Sequence, residues 1–308
     1  MNSQFIVEVR QQLAEYTRRS TQTAVAREMG VSTATLSQFL SETYPGDNHS
    51  VAIKGKQLME LGAARQRLAV SPPICLKVKN TKRILTAVKL AHEAQHMLLI
   101  YGPAGCSKTT SLKHYSKQAT GTVYVELDAT MGSQRNAVIA VAEAIGDIST
   151  SRSTAQIMRS LLAELRDTNR LIIIDECQHL NERSFDALRA INDKAGVGIV
   201  FSGNKNVLKR MFGRMEPEYD QLFSRFGEIV ELKNRYSYDD IAGIYNSCPI
   251  DSECLDYLAD VANKKGGLRR MDKQYKMAAN IADTLKQSLS MPFLLEAEKR
   301  LNVVGRVM

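Results

Sequence analysis

The stretch MLLIYGPAGCSKTTSLKHYSK, residues 97–117, decides the fold. An apolar run of strand length leads into a glycine-bearing turn, and a segment of helical character follows. This order is typical of a phosphate-binding loop, in which backbone N–H groups and the positive end of a helix dipole face the phosphates. The loop pattern is Gly, four residues, Gly, Lys, and Ser or Thr. Gly102, Lys108 and Thr109 have that spacing, and Ser107 stands where the pattern has its last glycine.

The residues of this turn are predicted to hold a nucleotide. They are Gly102, Pro103, Ala104, Gly105, Cys106, Ser107, Lys108, Thr109 and Thr110. Lys108 is expected to pair with the β- and γ-phosphates of ATP, and Thr109 to ligate Mg²⁺. We expect Gly102 and Gly105 to take the strained backbone positions that favour glycine. Position 107 is expected to open the helix with a φ of about −60°, which serine adopts without strain, so ATP binding should survive the substitution.

Five apolar segments predict the strands of an α/β domain. They are MLLIYG (97–102), TVYVEL (122–127), LIIID (171–175), GIVFSG (198–203) and EIVEL (228–232). Helical patterns lie between these segments, which predicts a parallel sheet with helices on both faces.

Two carboxylates end the third predicted strand. Asp175 is expected to hold the hydration shell of Mg²⁺, and Glu176 to orient or deprotonate the attacking water. We expect the strand that carries them to lie next to the strand that leads into the phosphate-binding turn. An Asp-Glu pair at a strand end can also simply cap the next helix, but the order of turn, lysine and carboxylates favours a nucleotide site.

Residues 21–42, TQTAVAREMGVSTATLSQFLSE, predict two short helices joined by a tight turn. Gly30 suits a left-handed turn, and Ser32 is expected to cap the second helix. This spacing is typical of a helix-turn-helix, whose second helix enters the major groove of DNA. The residues predicted to face the DNA are Thr33, Thr35, Ser37 and Gln38. The second helix has no Arg or Lys, so we expect contacts with little base selectivity; a helical hairpin that only packs on a neighbour is the alternative.

The bulk properties bound the class of protein. The chain of 308 residues is long enough for two or three domains, which we place at 1–70, 71–236 and 237–308. Lys and Arg number 41 against 33 Asp and Glu, and the net charge of +8 mildly favours a polyanionic partner such as nucleic acid. The five cysteines have no metal-ligand spacing, which favours a reducing compartment. No segment predicts a signal sequence or a membrane span, so we expect a cytoplasmic protein.

Three polar residues further along extend the nucleotide-site pattern. GIVFSGN ends in Asn204, LFSRF places Arg225 before the next strand, and GGLRRM places Arg269 at a helix start. With IIIDE, the GxLR segment and an N-terminal helix pair ending in YPGDN, the chain resembles the AAA+ ATPases of DNA transposition, the family of phage Mu transposition protein B. The resemblance covers nearly the whole chain, and it implies an AAA+ core followed by a helical lid.

The resemblance implies roles for these residues. Asn204 would be the first sensor, Arg225 the arginine finger that reaches the ATP of a neighbouring subunit, and Arg269 the second sensor. Arg214 is the rival for the finger, and Arg270 is the rival for the second sensor. In the alternative, the side chain of Asn204 only makes a hydrogen bond within the turn that follows its strand.

The resemblance also implies an activity and partners. Such proteins bind double-stranded DNA with little sequence preference when they hold ATP, assemble into rings or helical filaments, and deliver target DNA to a transposase. Ser107 departs from the family's glycine and puts the rate of hydrolysis in question. Candidate phosphate contacts in the core and lid are Arg135, Arg183, Lys264, Lys265 and Arg270. The alternatives are a helicase loader or replication initiator, and a DNA-binding regulator in which ATP is only a switch.

Overall fold

The computed structural model describes residues 2–68, 76–147, 152–212 and 226–304. The chain folds into two compact units, residues 1–71 and 72–308. The predicted boundary between core and lid at residue 236 stays a prediction, because the second unit contains both. Within the described ranges, no helix is both long and apolar enough to cross a membrane.

The first unit is built from helices α1 (Asn2–Arg18), α2 (Gln22–Met29), α3 (Thr33–Leu40) and α4 (Asn48–Leu68). All four helices contribute apolar residues to one buried core. Gly30 ends α2 in the left-handed conformation, with φ 64°. Ser32 caps α3 by accepting a hydrogen bond from the N–H of Thr35 at 3.0 Å. The turn and the cap have the geometry that the sequence predicts, and the role of this helix pair in DNA binding stays a prediction.

The described part of the second unit contains a parallel sheet of five strands. The strands are β1 (Met97–Tyr101), β2 (Thr122–Glu126), β3 (Leu171–Asp175), β4 (Gly198–Gly203) and β5 (Phe226–Glu231). Their order is β2-β3-β4-β1-β5, and every pairing is parallel. The expectation that the loop strand and the carboxylate strand are neighbours was therefore wrong, since β4 lies between β1 and β3. Parallel strands are joined by long crossovers, so neighbours in the sheet need not follow the order of the chain.

Helices cover both faces of the sheet, as the sequence predicts. One face carries α5 (Lys79–Ala94) and α6 (Lys108–Gln118), and the other carries α7 (Gln134–Ile145), α8 (Thr154–Leu165) and α9 (Glu182–Ala195). On β3, Leu171 and Ile173 join the core under α5 and α6, whereas Ile172 and Ile174 join the core under α7, α8 and α9. A strand that is buried on both faces has a continuous apolar sequence, which is why the central strands could be predicted from the sequence.

Further helices follow the last strands. α10 (Asn206–Phe212) follows β4, and the lid helices α11 (Tyr238–Ile244), α12 (Ser252–Asn263), α13 (Gly267–Thr284) and α14 (Met291–Val304) follow β5. The lid has its own apolar core, which Val78 before α5 and Tyr236 after β5 also join. The lid therefore packs against two segments of the α/β core: the one that leads into α5 and the one that follows β5.

Candidate nucleotide site

The phosphate-binding turn connects the end of β1 to the start of α6. The ammonium of Lys108 lies inside the turn and donates to the carbonyl oxygens of Gly102 at 2.9 Å and Pro103 at 3.0 Å. Ser111 N donates to Ser107 O at 2.9 Å, and the N–H groups that precede it in the first turn of α6 have no intrahelical partner. The turn thus brings together amide hydrogens and a cation, the groups that bind phosphate.

Ser107 does not have the conformation that the sequence led us to expect. Its φ is 68° and its ψ is 10°, in the left-handed region, whereas we expected a φ of about −60°. The expectation was wrong because Ser107 does not open the helix: it precedes the first helical residue, Lys108, and turns the chain into it. Glycine adopts this conformation without steric cost, whereas a Cβ makes it unfavourable. The side chain of Ser107 makes no capping hydrogen bond that would offset the strain.

Gly102 and Gly105 are needed for different reasons. Gly105 has φ 82°, and a Cβ there would overlap the carbonyl oxygen of Gly266 in the lid. Strained backbone is therefore confirmed for Gly105. Gly102 does not have a positive φ; instead, a Cβ there would lie 2.7 Å from the carbonyl oxygen of Leu232, directly after β5. The prediction of strain was wrong for Gly102, which is needed because another backbone packs closely against it.

Asp175 is buried at the end of β3, with 1% of its surface exposed. Its Oδ1 accepts a hydrogen bond from the N–H of Glu176 at 2.9 Å, and its Oδ2 accepts one from the hydroxyl of Tyr124 on β2 at 2.9 Å. Since a buried carboxylate is costly without such partners, these two donors stabilise it and fix its plane. Burial, and next the charge of Asp175, raise the pKa of Tyr124, so its hydroxyl remains a donor.

Glu176 also has a left-handed backbone, with φ 56°. This conformation turns the chain out of β3 into a short 3₁₀ turn at Cys177–His179. The Oε2 of Glu176 accepts a hydrogen bond from Nε2 of Gln178, and Oε1 of Gln178 accepts one from the backbone N–H of Asn204 at 3.2 Å. The predicted water-orienting carboxylate is thus connected to the chain just beyond β4.

Asn204 lies directly after β4, between the ends of β1 and β3. Its Oδ1 accepts a hydrogen bond from the N–H of Asn206 at 2.8 Å, which is the turn contact that the sequence left open as an alternative. This contact uses only the side-chain oxygen, and the side-chain NH₂ group has donors of its own. The turn contact therefore does not prevent a sensor role, which stays a prediction.

The residues of the site fit a nucleoside triphosphate with a divalent cation. Lys108 and the N–H groups of α6 suit phosphates, and the hydroxyl of half-buried Thr109 and the carboxylate of Asp175 are oxygen ligands of the kind that Mg²⁺ prefers. Burial raises the pKa of the Cys177 thiol, the charge of Asp175 raises it further, and the charge of Lys108 lowers it. The loop lysine and the strand-end carboxylate therefore lie within electrostatic reach of the same thiol.

The lid contacts the carbonyl side of the phosphate-binding turn. The N–H of Leu268, at the start of α13, donates to the carbonyl oxygen of Gly105 at 3.0 Å. The hydroxyl of Tyr236 donates to the same oxygen at 3.2 Å. The backbone of Arg269, the next residue along α13, therefore lies close to the turn.

The two arginines of GGLRRM have different surroundings. Arg270 donates to Oδ1 of Asn302 at 2.7 Å and lies 3.8 Å from the carboxylate of Glu298, both on α14. Arg269 is exposed and directly follows Leu268. This arrangement favours Arg269 over Arg270 as the residue that faces the nucleotide, and the assignment stays a prediction. The proposed finger Arg225 and its rival Arg214 lie outside the described residues.

The predicted DNA contacts are spread over both units. In the second unit, Arg183 on the first turn of α9 is exposed, as are Lys264 and Lys265 between α12 and α13. Arg135 on α7 directs its guanidinium to the carbonyl oxygen of Arg152 at 2.9 Å. Exposure suits phosphate binding, and the internal bond of Arg135 makes it the weakest of these candidates.

On α3 the candidate DNA contacts differ in their exposure. Thr33, Ser37 and Gln38 are exposed. Thr35 is half-buried, and its hydroxyl shares a hydrogen bond of 2.8 Å with the hydroxyl of Ser32. The hydroxyl of Thr35 therefore already takes part in the helix cap, which makes Thr35 a weaker candidate for a contact with bases.

Three residues of the site were not identified from the sequence: Tyr124, Gln178 and Tyr236. Gln178 had a usable signal, since it stands two residues after Glu176 in a turn that the carboxylate pair begins. Tyr124 had a weaker one, a tyrosine in a strand that lies beside the Asp175 strand. Tyr236 had none, because its contact with the turn depends on how the chain leaves β5.

Two protein-family models match parts of the chain. An AAA domain matches residues 91–211, and the C-terminal domain of the Mu B transposition protein matches residues 224–301. The first range holds the phosphate-binding turn, the carboxylate pair and Asn204, and the second holds the lid. The AAA-type core predicted from the sequence is therefore confirmed.

Individual relatives cover most of the chain. The Mu-like prophage FluMu DNA transposition protein B of Haemophilus influenzae is 27% identical over 258 residues, which is 83% of this chain and 90% of that protein. The ATP-dependent target DNA activator B of Escherichia phage Mu is 26% identical over 281 residues, which is 91% of this chain and 89% of that protein.

Two solved structures resemble the fold. The ADP form of the Aeropyrum pernix ORC2 protein has a TM-score of 0.57 at 19% identity and covers 76% of this chain and 71% of that one. Drosophila ORC bound to DNA has a TM-score of 0.51 at 17% identity and covers 77% of this chain and 65% of that one. At these identities the likeness concerns the fold alone.

Proposed function

We propose that this homologue of the Mu B transposition proteins, built on an AAA core, is an ATP-dependent DNA-binding ATPase that selects target DNA and delivers it to a transposase. One observation carries the proposal. The loop lysine Lys108, the carboxylates Asp175 and Glu176, and Asn204 lie at one edge of the sheet, in a chain that is similar over 91% of its length to an ATP-dependent target DNA activator.

The residues of the chain divide the work of hydrolysis. Lys108 exchanges its bonds to the carbonyls of Gly102 and Pro103 for bonds to the phosphates. Thr109 and Asp175 hold Mg²⁺, which neutralises charge on the phosphates when it is bound. Glu176 orients the attacking water and accepts its proton. Asn204 and Arg269 contact the γ-phosphate.

Turnover depends on assembly in this proposal. Arg225 of one subunit reaches the ATP of the next, where its charge stabilises the transferring phosphoryl group. ATP-bound subunits therefore form a ring or helical filament on duplex DNA, and the transposase and DNA stimulate hydrolysis. Within each subunit, the start of α13 lies against the phosphate-binding turn through Leu268 and Gly105, which supports a lid that responds to the bound nucleotide.

DNA binding rests on two sets of residues. On α3, Thr33, Thr35, Ser37 and Gln38 meet the major groove without an arginine or lysine, which supports binding of low sequence selectivity. Arg183, Lys264, Lys265, Arg270 and Arg135 are candidates for contacts with phosphates, which would make binding strongly dependent on salt.

The proposed chemistry is tested by Glu176→Gln. ATP binding is expected to persist, while hydrolysis stimulated by duplex DNA falls by about 100-fold or more, the usual contribution of a general base. Glu182→Gln is the matched control, an exposed acid on the first turn of α9. Unchanged hydrolysis in Glu176→Gln would refute the assignment, and a wild type that binds ATP without hydrolysing it would favour the ATP-switched regulator.

Transposition and replication roles differ in the partner. Electron microscopy with duplex DNA compares ATP with ADP: filaments formed only with ATP, on DNA of unrelated sequence, support target delivery to a transposase. A discrete hexamer that loads a second ring supports the helicase loader or replication initiator. The ORC structures share the fold alone and do not favour that second candidate.

A further inference from the structure

Gln178 connects two parts of the site that take part in the proposed hydrolysis. Its Nε2 donates to Oε2 of Glu176, and its Oε1 accepts from the backbone N–H of Asn204 at 3.2 Å. The fit is close, because a Cβ on Gly203 would lie 2.8 Å from that same Oε1. Gln178 is half-buried, which reduces competition from water for both hydrogen bonds.

The chemistry of an amide explains why glutamine suits this position. The carboxylate of Glu176 can only accept a hydrogen bond, and the backbone N–H of Asn204 can only donate one. A reversed amide would place two acceptors together at Glu176 and two donors together at Asn204, so the two partners fix the orientation of Gln178. The bond to the carboxylate is charge-assisted, which makes it the stronger of the two.

We propose that Gln178 is a positioning residue that couples the carboxylate of Glu176 to the end of β4. The inference rests on the proposed function, in which Glu176 orients the water and Asn204 contacts the γ-phosphate. A shift of the Asn204 backbone moves Oε1 of Gln178, and the rigid amide transmits that shift to Glu176. Without the amide, the Glu176 side chain is free to rotate about its own bonds, and the base loses its alignment with the water.

Two substitutions of similar size test this role. Gln178→Met removes both hydrogen bonds, and Gln178→Glu keeps the acceptor for Asn204 but places a second carboxylate against Glu176. We expect Gln178→Met to lower kcat by about 10- to 100-fold, the order of effect of a misaligned catalytic group, with the Kd for ATP changed by less than about 3-fold. Gln178→Glu should lower kcat at least as far.

The decisive measurement is a double-mutant cycle with Glu176→Gln. If Gln178 acts through Glu176, Gln178→Met changes the residual hydrolysis of the Glu176→Gln protein by less than about 2-fold. Gln118→Met, on the exposed end of α6, is the control for glutamine loss, and thermal unfolding verifies that each variant is folded.

The possible failures are distinguishable. An active wild type, an inactive Glu176→Gln protein and a fully active or faster Gln178→Met protein would overturn this inference alone. So would a loss of equal size with and without Glu176, since it would place Gln178 outside the action of that carboxylate. Equal hydrolysis by wild type and Glu176→Gln would instead overturn the proposed function, and this inference with it.

Discussion

Ser107→Gly should stabilise the protein, although it removes a side chain next to the nucleotide site. Ser107 holds φ 68° immediately before α6, and its hydroxyl makes no capping hydrogen bond. Glycine takes this backbone conformation freely, so the substitution relieves strain without removing a capping contact.

The expected gain is the difference between two effects. Left-handed backbone costs a residue with a Cβ about 1–2 kcal/mol. Glycine also increases the conformational entropy of the unfolded chain, which offsets about 0.4–1 kcal/mol of that gain. The net stabilisation is therefore about 0.8 kcal/mol at the middle of these ranges, or about 2–3 °C in Tm for a domain of this size.

Thermal unfolding of three proteins measures this gain: wild type, Ser107→Gly and the control Ser107→Ala. Alanine keeps the Cβ and its strain, and it loses no capping bond, so it should unfold close to wild type. Ser107→Gly should unfold above both. If it unfolds below Ser107→Ala, the backbone of Ser107 does not have the left-handed φ of 68°.

The same variants test whether the serine impairs the site. We expect wild type to bind ATP, since Lys108, Thr109 and the helix start are in place. Ser107→Gly should change the affinity modestly. Undetectable ATP binding by wild type, restored by Ser107→Gly, would overturn that expectation and leave Ser107 as the residue that disables the loop.

Three further predictions follow from the contacts of the site. Tyr124→Phe removes the donor to Oδ2 of Asp175, so it should cost about 1.5–3 kcal/mol of stability and raise the Mg²⁺ concentration needed for half-maximal hydrolysis; an unchanged Mg²⁺ titration would contradict this. Gly105→Ala should cost about 1–3 kcal/mol and weaken ATP binding, whereas Gly146→Ala, at φ 110° and with no neighbour among the described residues within 4 Å of the added Cβ, carries backbone strain without the clash. Burial raises the pKa of the Cys106 thiol, so alkylation measured by mass spectrometry should keep accelerating at pH values where an ordinary thiol has levelled off. ATP should slow that alkylation. Equal rates with and without ATP would show that bound ATP does not protect Cys106.

The strands were predictable because their burial on both faces requires apolar residues at consecutive positions of the sequence. Central parallel strands are covered on both faces, so LIIID and GIVFSG read as apolar runs. Gly30 was predictable for a similar reason, since a single residue type favours the left-handed turn that ends α2.

The order of the strands was not predictable in the same way. The sequence of a crossover connection does not show which strand the following strand pairs with. The placement of β4 between β1 and β3 is a property of the whole sheet. This order matters for the site, because it sets Asn204 between the phosphate-binding turn and Glu176.

Ser107 was misjudged because spacing gives the position of a residue and not its φ. The motif has glycine there, and the conformation of Ser107 supplies the physical reason for it. The bonds of Tyr124 to Asp175 and of Gln178 to Asn204 were missed for another reason: each joins neighbouring strands or the segments that follow them, and such contacts depend on the register of the sheet.

The contacts of Gly105 connect the nucleotide to the lid. Its carbonyl oxygen accepts hydrogen bonds from the N–H of Leu268 and the hydroxyl of Tyr236, while Lys108 holds two other carbonyls of the same turn. In the proposed ATP complex, Lys108 binds the phosphates instead, so those two carbonyls would lose their donor and the turn would have to adjust its backbone or recruit water. Gly105 lies two residues after Pro103 in the same turn, and Arg269 directly follows its partner Leu268, so such an adjustment would be felt at the start of α13. If Lys108 takes this proposed role, we expect the affinity for ATP and the position of Arg269 to be parts of one equilibrium, in which a change to either shifts the other.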